Sequence, residues 1–303
     1  MRSIESTSIP TLISLIEPHS LDFPTMSISD VDVAIMAASA GADVVRARYG
    51  TRLEKTPKSP LDFATDADIE SERAIFRVIR SARPNDELIG EESGHVNEGR
   101  SGRVWLIDPL CGTVNFAART PLVGINVALQ TTDGITAAAT ADPLSGEIMW
   151  TDGVRACLRG DDSDTTLRPS ADSRLVDVNL DGPYPNGEWF DSVRVLADPD
   201  FASSFRPRVS STSLALAWVA AGRRAAYITD GDLLGSVHFA SALALCQSVG
   251  CVVTNLLGDE PHTGVRGLVA SSDEHTHEVL LSVIRRQLSR SNSATPGLST
   301  GDS

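Results

Sequence analysis

The stretch Trp105-Leu106-Ile107-Asp108-Pro109-Leu110-Cys111-Gly112-Thr113-Val114-Asn115-Phe116 decides how the rest of the chain is read. Val104 to Ile107 reads as a short buried strand that ends in a carboxylate and breaks at Pro109. Gly112 then lets the backbone turn tightly, and a hydroxyl follows at Thr113. A carboxylate at the end of a buried strand, beside a Pro/Gly turn, is a usual place for a metal ligand.

Upstream, Ser29-Asp30 offers an N-cap, and Ile35, Ala38, Ala42, Val45 and Tyr49 recur at helical spacing up to Gly50. Residues 51–61 read as a polar, Pro-bearing loop. Asp62-Phe63-Ala64-Thr65-Asp66-Ala67-Asp68 then leads into a helix from about Asp66 to Ala82, with an acidic first turn suited to the helix dipole. Glu87 to Gly90 is a short strand followed by Glu91-Glu92-Ser93-Gly94, which taken alone is solvated loop charge. Downstream, Val123–Gln130 and Ile135–Thr140 are strands joined by a Thr132-Asp133-Gly134 turn, and Glu147–Trp150 is a third. Residues 158–171 are a charged surface loop and a boundary between two halves, and residues 182–207 look irregular. Arg208-Val209-Ser210-Ser211 leads into a helix, Thr212 to Ala221, and Ala226 to Thr229 is a strand. Ser236-Val237-His238-Phe239-Ala240-Ser241-Ala242 opens a helix that ends at Ser248-Val249-Gly250-Cys251. Val252–Asn255 and Gly267–Ser271 are strands, and Asp273–Leu288 is a last helix.

Four of these segments, in this order, resemble the inositol monophosphatase family of Mg²⁺-dependent small-molecule phosphatases. Residues 62–68 are similar to its D-[LV]-V-T-x-x-D segment, and residues 90–93 to its G-E-E-[ST]. Residues 108–116 are similar to D-P-[IL]-D-G-T-x-N-F, and residues 236–242 to P-W-D-x-A-A-G. The resemblance covers roughly residues 30–288. It implies a layered α-β-α-β-α sandwich, with an α+β half over residues 29–157 and an α/β half over residues 172–288. Residues 1–28 would then be an N-terminal extension and residues 289–303 a disordered tail.

Carried over residue by residue, the resemblance makes Asp62 and Thr113 the pair that polarises the attacking water. Glu91, Asp108 and the Leu110 carbonyl would hold one Mg²⁺, and Gly112, Thr113 and Ser211 would lie beside the substrate. Two positions depart. Cys111 and His238 stand where the family has two of the three Asp ligands of a second metal, the third being Asp108. Mg²⁺ prefers oxygen, whereas a thiolate, an imidazole and a carboxylate suit Zn²⁺ or another transition metal. Ser210 replaces the Gly of the family's R-x-G-S, and Ala215 stands where an acidic residue often touches substrate hydroxyls. Both argue against inositol as the substrate.

The chain has 303 residues, 41% of them hydrophobic, which suffices for a large core and argues against global disorder. A net charge of −14 argues against nucleic acid or an anionic membrane as the main partner. It leaves a phosphorylated substrate open, because a bound cation reverses the local field. Four scattered cysteines without C-x-x-C spacing point to a reducing cytoplasm. No apolar run reaches the roughly eighteen residues of a membrane span. A homodimer is expected from the resemblance.

Three functions compete. The first is a phosphatase acting on a small phosphorylated metabolite, in a specialised, secondary-metabolic role. The second is a repurposed site in which Cys111 and His238 form a nucleophile and base for an acyl-type substrate. The third is a non-catalytic, regulatory relative that keeps the fold.

Overall fold

A computed structural model describes residues 28–60, 62–96, 101–161, 163–180, 190–231, 233, 235–261 and 267–293. The expected extension over residues 1–28 therefore lies outside the described residues, apart from Ile28.

Helix α1 (Asp30–Arg48) begins where the sequence asks. The Ser29 hydroxyl oxygen accepts the Asp32 N–H at 3.2 Å, with acids in the first turn and arginines in the last. Strands β1 (Lys55–Ser59) and β2 (Asp62–Thr65) then pair antiparallel, so residues 51–61 are not a plain loop. Every residue of β1 is exposed and Pro57 lies within it, so no alternation announces the strand. Helix α2 (Asp66–Ala82) is opened by a capping box between Thr65 and Asp68.

Next come β3 (Glu87–Gly90), β4 (Gly94–His95), β5 (Val104–Cys111) and the short helix α3 (Thr113–Ala117). They are followed by β6 (Gly124–Thr131), β7 (Gly134–Ala141), β8 (Ile148–Thr151), β9 (Ala156–Leu158) and β10 (Thr165–Thr166). The last lies inside the expected surface loop. These strands form one sheet in the order β10-β9-β8-β7-β6-β5-β3-β4, antiparallel except for β3 on β5. Strand β5 does not break at Pro109. Its pairing with β6 shifts between Asp108 and Cys111, and this irregularity accommodates a residue that has no N–H to donate.

The second half holds β11 (Leu175–Val178), α4 (Ser192–Leu196), α5 (Pro199–Ser204), β12 (Arg206–Val209) and α6 (Leu214–Ala220). It continues with β13 (Ala226–Thr229), α7 (Ala240–Ser248), β14 (Val252–Thr254), β15 (Leu268–Ser271) and α8 (Glu274–Ser293). The sheet order is β12-β11-β13-β15-β14, with β15 antiparallel to both of its neighbours. Residues 190–207 are thus two short helices and an edge strand rather than irregular chain. Helix α8 runs past Leu288 to Ser293, because neither Gly nor Pro interrupts it there, and the rest of the expected tail lies outside the described residues.

The layers follow from the packing. Helices α1 and α2 cover one face of the large sheet, and α6 and α7 lie between the two sheets. Helix α8, with α4 and α5, covers the far face of the small sheet. Each interface has its own apolar core: Trp105 and Phe116 in the first, Leu216 and Tyr227 in the second, Phe201 and Ile284 in the third. This α-β-α-β-α stack brings the C-terminal end of β5, the loop after β3 and the start of α7 together.

Candidate active site

Asp108 is fully buried near the end of β5. One carboxylate oxygen accepts the Leu110 N–H at 3.1 Å, and the other lies 2.8 Å from His238 Nδ1. The Cys111 sulfur, one turn of chain further on, accepts the Ser213 N–H at 3.2 Å. Ligand atoms of Asp108, Cys111 and His238 all lie within 4.8 Å of one another. Gly112 has φ +95°, and a Cβ there would sit 2.7 Å from the Leu122 carbonyl oxygen, so only glycine makes this turn without strain.

The Thr113 hydroxyl lies 2.8 Å from Asp68 Oδ1 and 3.1 Å from the Leu110 carbonyl oxygen. Asp62, expected as its partner, is exposed at the start of β2. The structure therefore corrects the pairing: Asp68, the third residue of α2, meets Thr113. The sequence signal was the Thr65/Asp68 spacing, which places Asp68 at the capped, inward-facing start of the helix. Asn115 Nδ2 donates to the Leu122 and Ser211 carbonyls, each at 3.0 Å, which brings Ser211 against the Gly112-Thr113 turn.

Glu91 follows β3, its N–H bonded to the Ile107 carbonyl at 3.0 Å. The turn beneath it is held by Glu72, which accepts the Glu92 N–H at 3.0 Å and the Ser93 hydroxyl. Lys58, hidden in the expected loop, reaches across with its ammonium 2.8 Å from Glu91 Oε1 and 2.6 Å from Glu92 Oε1. Ala215 is fully buried among the apolar side chains of α6 and α7. Ser210 donates its hydroxyl to Asp177 in the small sheet. Ser213 also ties Cys111 to a buried polar chain, accepting from Asn126 Nδ2 at 2.6 Å, while Thr140 bridges Asn126 and Ser241.

The electrostatics follow from burial and these pairings. Burial pulls His238 down, but the charges of Asp108 and Glu91 outweigh it and raise the imidazolium to about 9. Burial, with Asp108 adding to it, pushes the Cys111 thiol well up, so it stays protonated at neutral pH. Burial also raises Asp68 to about 6, against the hydrogen bonds from Thr65 and Thr113. Glu91 is raised by burial and by Asp108, with His238 and Lys58 opposing.

Residues 28–289 match the profile of the inositol monophosphatase family. The chain belongs to that family. The inositol-1-monophosphatase of Caulobacter vibrioides is 30% identical over 243 residues, covering 78% of this chain and 92% of that one. The Nus factor SuhB of Escherichia coli is 26% identical over 264 residues, covering 86% and 97%. Among solved structures, the extragenic suppressor protein suhB of Bartonella henselae superposes with a TM-score of 0.74 at 24% identity, over 84% of this chain and 98% of that one. The Thermotoga maritima IMPase gives 0.71 at 20% identity, over 86% and 98%. These likenesses bear out the layered sandwich, and the family supports phosphatase-type chemistry. No helix among the described residues is long and apolar enough to cross a membrane.

Inositol monophosphatases generally use Mg²⁺, so each donor set can be weighed against that ion. Glu91, Asp108 and the Leu110 carbonyl are three hard oxygens of the kind Mg²⁺ takes, and the set fits. Asp108, Cys111 and His238 do not fit it, because a sulfur and an imidazole nitrogen stand where Mg²⁺ takes oxygens.

Proposed function

We propose that the chain hydrolyses a phosphate monoester of a small metabolite, with one Mg²⁺ held by Glu91, Asp108 and the Leu110 carbonyl. The observation that carries this reading is the 2.8 Å bond between Thr113 and Asp68, beside the Leu110 carbonyl. Asp68 accepts the Thr113 proton, which leaves a Thr113 lone pair to take a hydrogen from the incoming water and aim its oxygen at phosphorus. On this reading the backbone N–H groups of Gly112 and Thr113, with Ser211 alongside, would receive the phosphoryl oxygens where α3 begins. The metal, when bound, supplies Lewis-acid polarisation of the phosphoryl group and stabilises the leaving oxygen.

We take the substrate to be a specialised metabolite of secondary metabolism rather than inositol, because Ala215 stands where the family often carries an acidic residue. Four free cysteines suit a cytoplasmic protein, and we take it to act as a homodimer without nucleic acid. Against the acyl-transfer alternative stands the burial that pushes the Cys111 thiol up, which disfavours the thiolate it would need. The regulatory alternative draws support from the same internal pairing and from relatives named Nus factor SuhB.

The test is phosphate release from a panel of small esters with Mg²⁺, for the wild type, Glu91→Gln and Asp108→Asn. Release that needs Mg²⁺ and is lost in both variants supports the phosphatase. Full activity in either variant sinks it, and no release from any ester favours the regulatory reading. Stoichiometric zinc in the purified protein would place a softer ion on Asp108, Cys111 and His238.

A further inference from the structure

Helix α7 ends in a closed cap. The Cys251 N–H donates to the Cys246 carbonyl at 3.0 Å, and the Gly250 N–H to the Gln247 carbonyl at 3.2 Å. Gly250 takes φ +78°, the left-handed turn that this pair of hydrogen bonds needs. In such a cap the side chains at the two outer positions, here Cys246 and Cys251, frequently pack together. The 3.0 Å hydrogen bond, with the covalent lengths on either side of it, holds their Cα atoms within about 7 Å, the reach of a disulfide. Both side chains belong to the apolar core between the two sheets, whereas Cys157 belongs to the core beneath α1. The two thiols are close enough that Cys251 is the first cause holding the Cys246 thiol well above the ordinary range, with burial adding to it. Cys246 is fully buried, while 9% of Cys251 is exposed. All four cysteines are free.

We propose that Cys246 and Cys251 are a modification site, a thiol pair that hydrogen peroxide converts to a disulfide in the folded protein and that a dithiol reductant restores. The site goes beyond the phosphatase reading and needs neither metal nor substrate. The Cys251 sulfur, the one that solvent reaches, attacks a peroxide oxygen. The O–O bond breaks, Cys251 becomes a sulfenic acid, and the departing oxygen leaves as water with the Cys251 proton. The Cys246 sulfur then attacks the Cys251 sulfur and displaces the sulfenic oxygen as a second water, which carries away the Cys246 proton. Two thiols are oxidised and one peroxide is reduced. The bridge fastens the end of α7 to the start of β14, at the opposite end of the helix from His238. Because the cap already holds the two positions together, the bridge tightens the fold rather than straining it.

The test is hydrogen peroxide added to the folded full chain, then iodoacetamide in denaturant and mass spectrometry of the unreduced tryptic digest. No Lys or Arg lies between Arg224 and Arg266, so both cysteines fall on one peptide. The disulfide then reads as the loss of two hydrogens and of both alkylation sites together. Dithiothreitol should restore both sites, and Cys111 and Cys157 should stay alkylatable throughout. The oxidised wild type should melt about 4 °C above the reduced one, and Cys251→Ser, which cannot form the bridge, should show no such shift. Thiols that remain alkylatable, sulfinic acid in place of the bridge, or a bridge that forms only after unfolding in urea would overturn the proposal. So would an oxidised wild type that melts no higher than the reduced one. The peptide map and the melting comparison are both read on the wild type, so they decide the matter even if the variant fails to fold.

Discussion

Replacing Asp68 by Asn should make the protein more stable and nearly inactive. Asp68 is fully buried, and burial raises its carboxyl from the ordinary value of 3.8 to about 6. Between those values the folded chain keeps a proton that the unfolded chain has released, so stability falls as pH rises from about 4 to about 6 and is flat above. The gap corresponds to about 3 kcal/mol at roughly 1.36 kcal/mol per pH unit. Asn is shaped like the protonated acid and escapes that penalty. It cannot accept equally well from the Thr65 N–H, the Thr65 hydroxyl and the Thr113 hydroxyl, which returns about 1 kcal/mol. Urea unfolding in chelator at pH 7.5 should therefore show Asp68→Asn about 2 kcal/mol more stable than the wild type, with the difference shrinking toward pH 4. Phosphate release should fall at least about 100-fold, because Asn cannot take the Thr113 proton. The exposed Asp62→Asn should leave both quantities unchanged. A less stable Asp68→Asn at pH 7.5 would refute the argument from burial. Loss of activity in Asp62→Asn but not in Asp68→Asn would refute the assignment of the water-orienting pair.

Other consequences are as open to measurement. His277 is buried between the hydroxyls of Thr254 at 2.9 Å and Ser271 at 3.1 Å, and burial, with Arg285 adding to it, lowers it to about 4. The unfolded chain binds that proton first, so the unfolding free energy from urea titrations should fall as pH drops from about 6.5 to 4, by at most about 3 kcal/mol, and His277→Gln should flatten this limb. A Cβ on Gly90 would lie 2.1 Å from Glu72 Oε2, so Gly90→Ala should cost about 1–3 kcal/mol in urea unfolding and weaken Mn²⁺ binding by shifting the turn that carries Glu91. Iodoacetamide at pH 7 should label Cys111 at less than about a tenth of the rate of free cysteine, read by mass spectrometry of the peptide. Cys111→Asp combined with His238→Asp should let calorimetry detect a second equivalent of Mg²⁺; a single equivalent would mean that those positions no longer frame a metal site.

The fold was legible wherever burial imposed a period. Helices α1 and α2 lie where apolar spacing and caps place them, because their inward residues recur at 3.6 and Ser29 and Thr65 mark the starts, while β13 reads as a short run buried on both faces. Exposed or very short elements left no such trace. Strand β1 buries nothing, and α4 and α5 are too short to complete two turns. The site was legible as a set of residue types but not as a set of partners. Asp62 and Asp68 lie in one segment, and only the direction of α2 decides which of them reaches Thr113. Lys58 could not be seen at all, since its place depends on a bulge and on glutamates more than thirty positions away.

The two departures from the family pattern are coupled, and this bears on what the protein has become. Had Cys111 and His238 arisen by loss of selection alone, nothing would require their side chains to be satisfied by the same surroundings. Instead the buried Asp108 carboxylate keeps a cationic partner in His238, so it is not left as an uncompensated charge, which would be strongly destabilising. The Cys111 sulfur receives the Ser213 N–H, and Ser213 is braced in turn by Asn126, Thr140 and Ser241 across β6, β7 and α7. With Lys58 on Glu91, the acidic end of β5 is neutralised from both sides by the chain itself. On the proposed reading, Glu91, Asp108 and the Leu110 carbonyl are the part of the family's machinery that the chain keeps for one Mg²⁺.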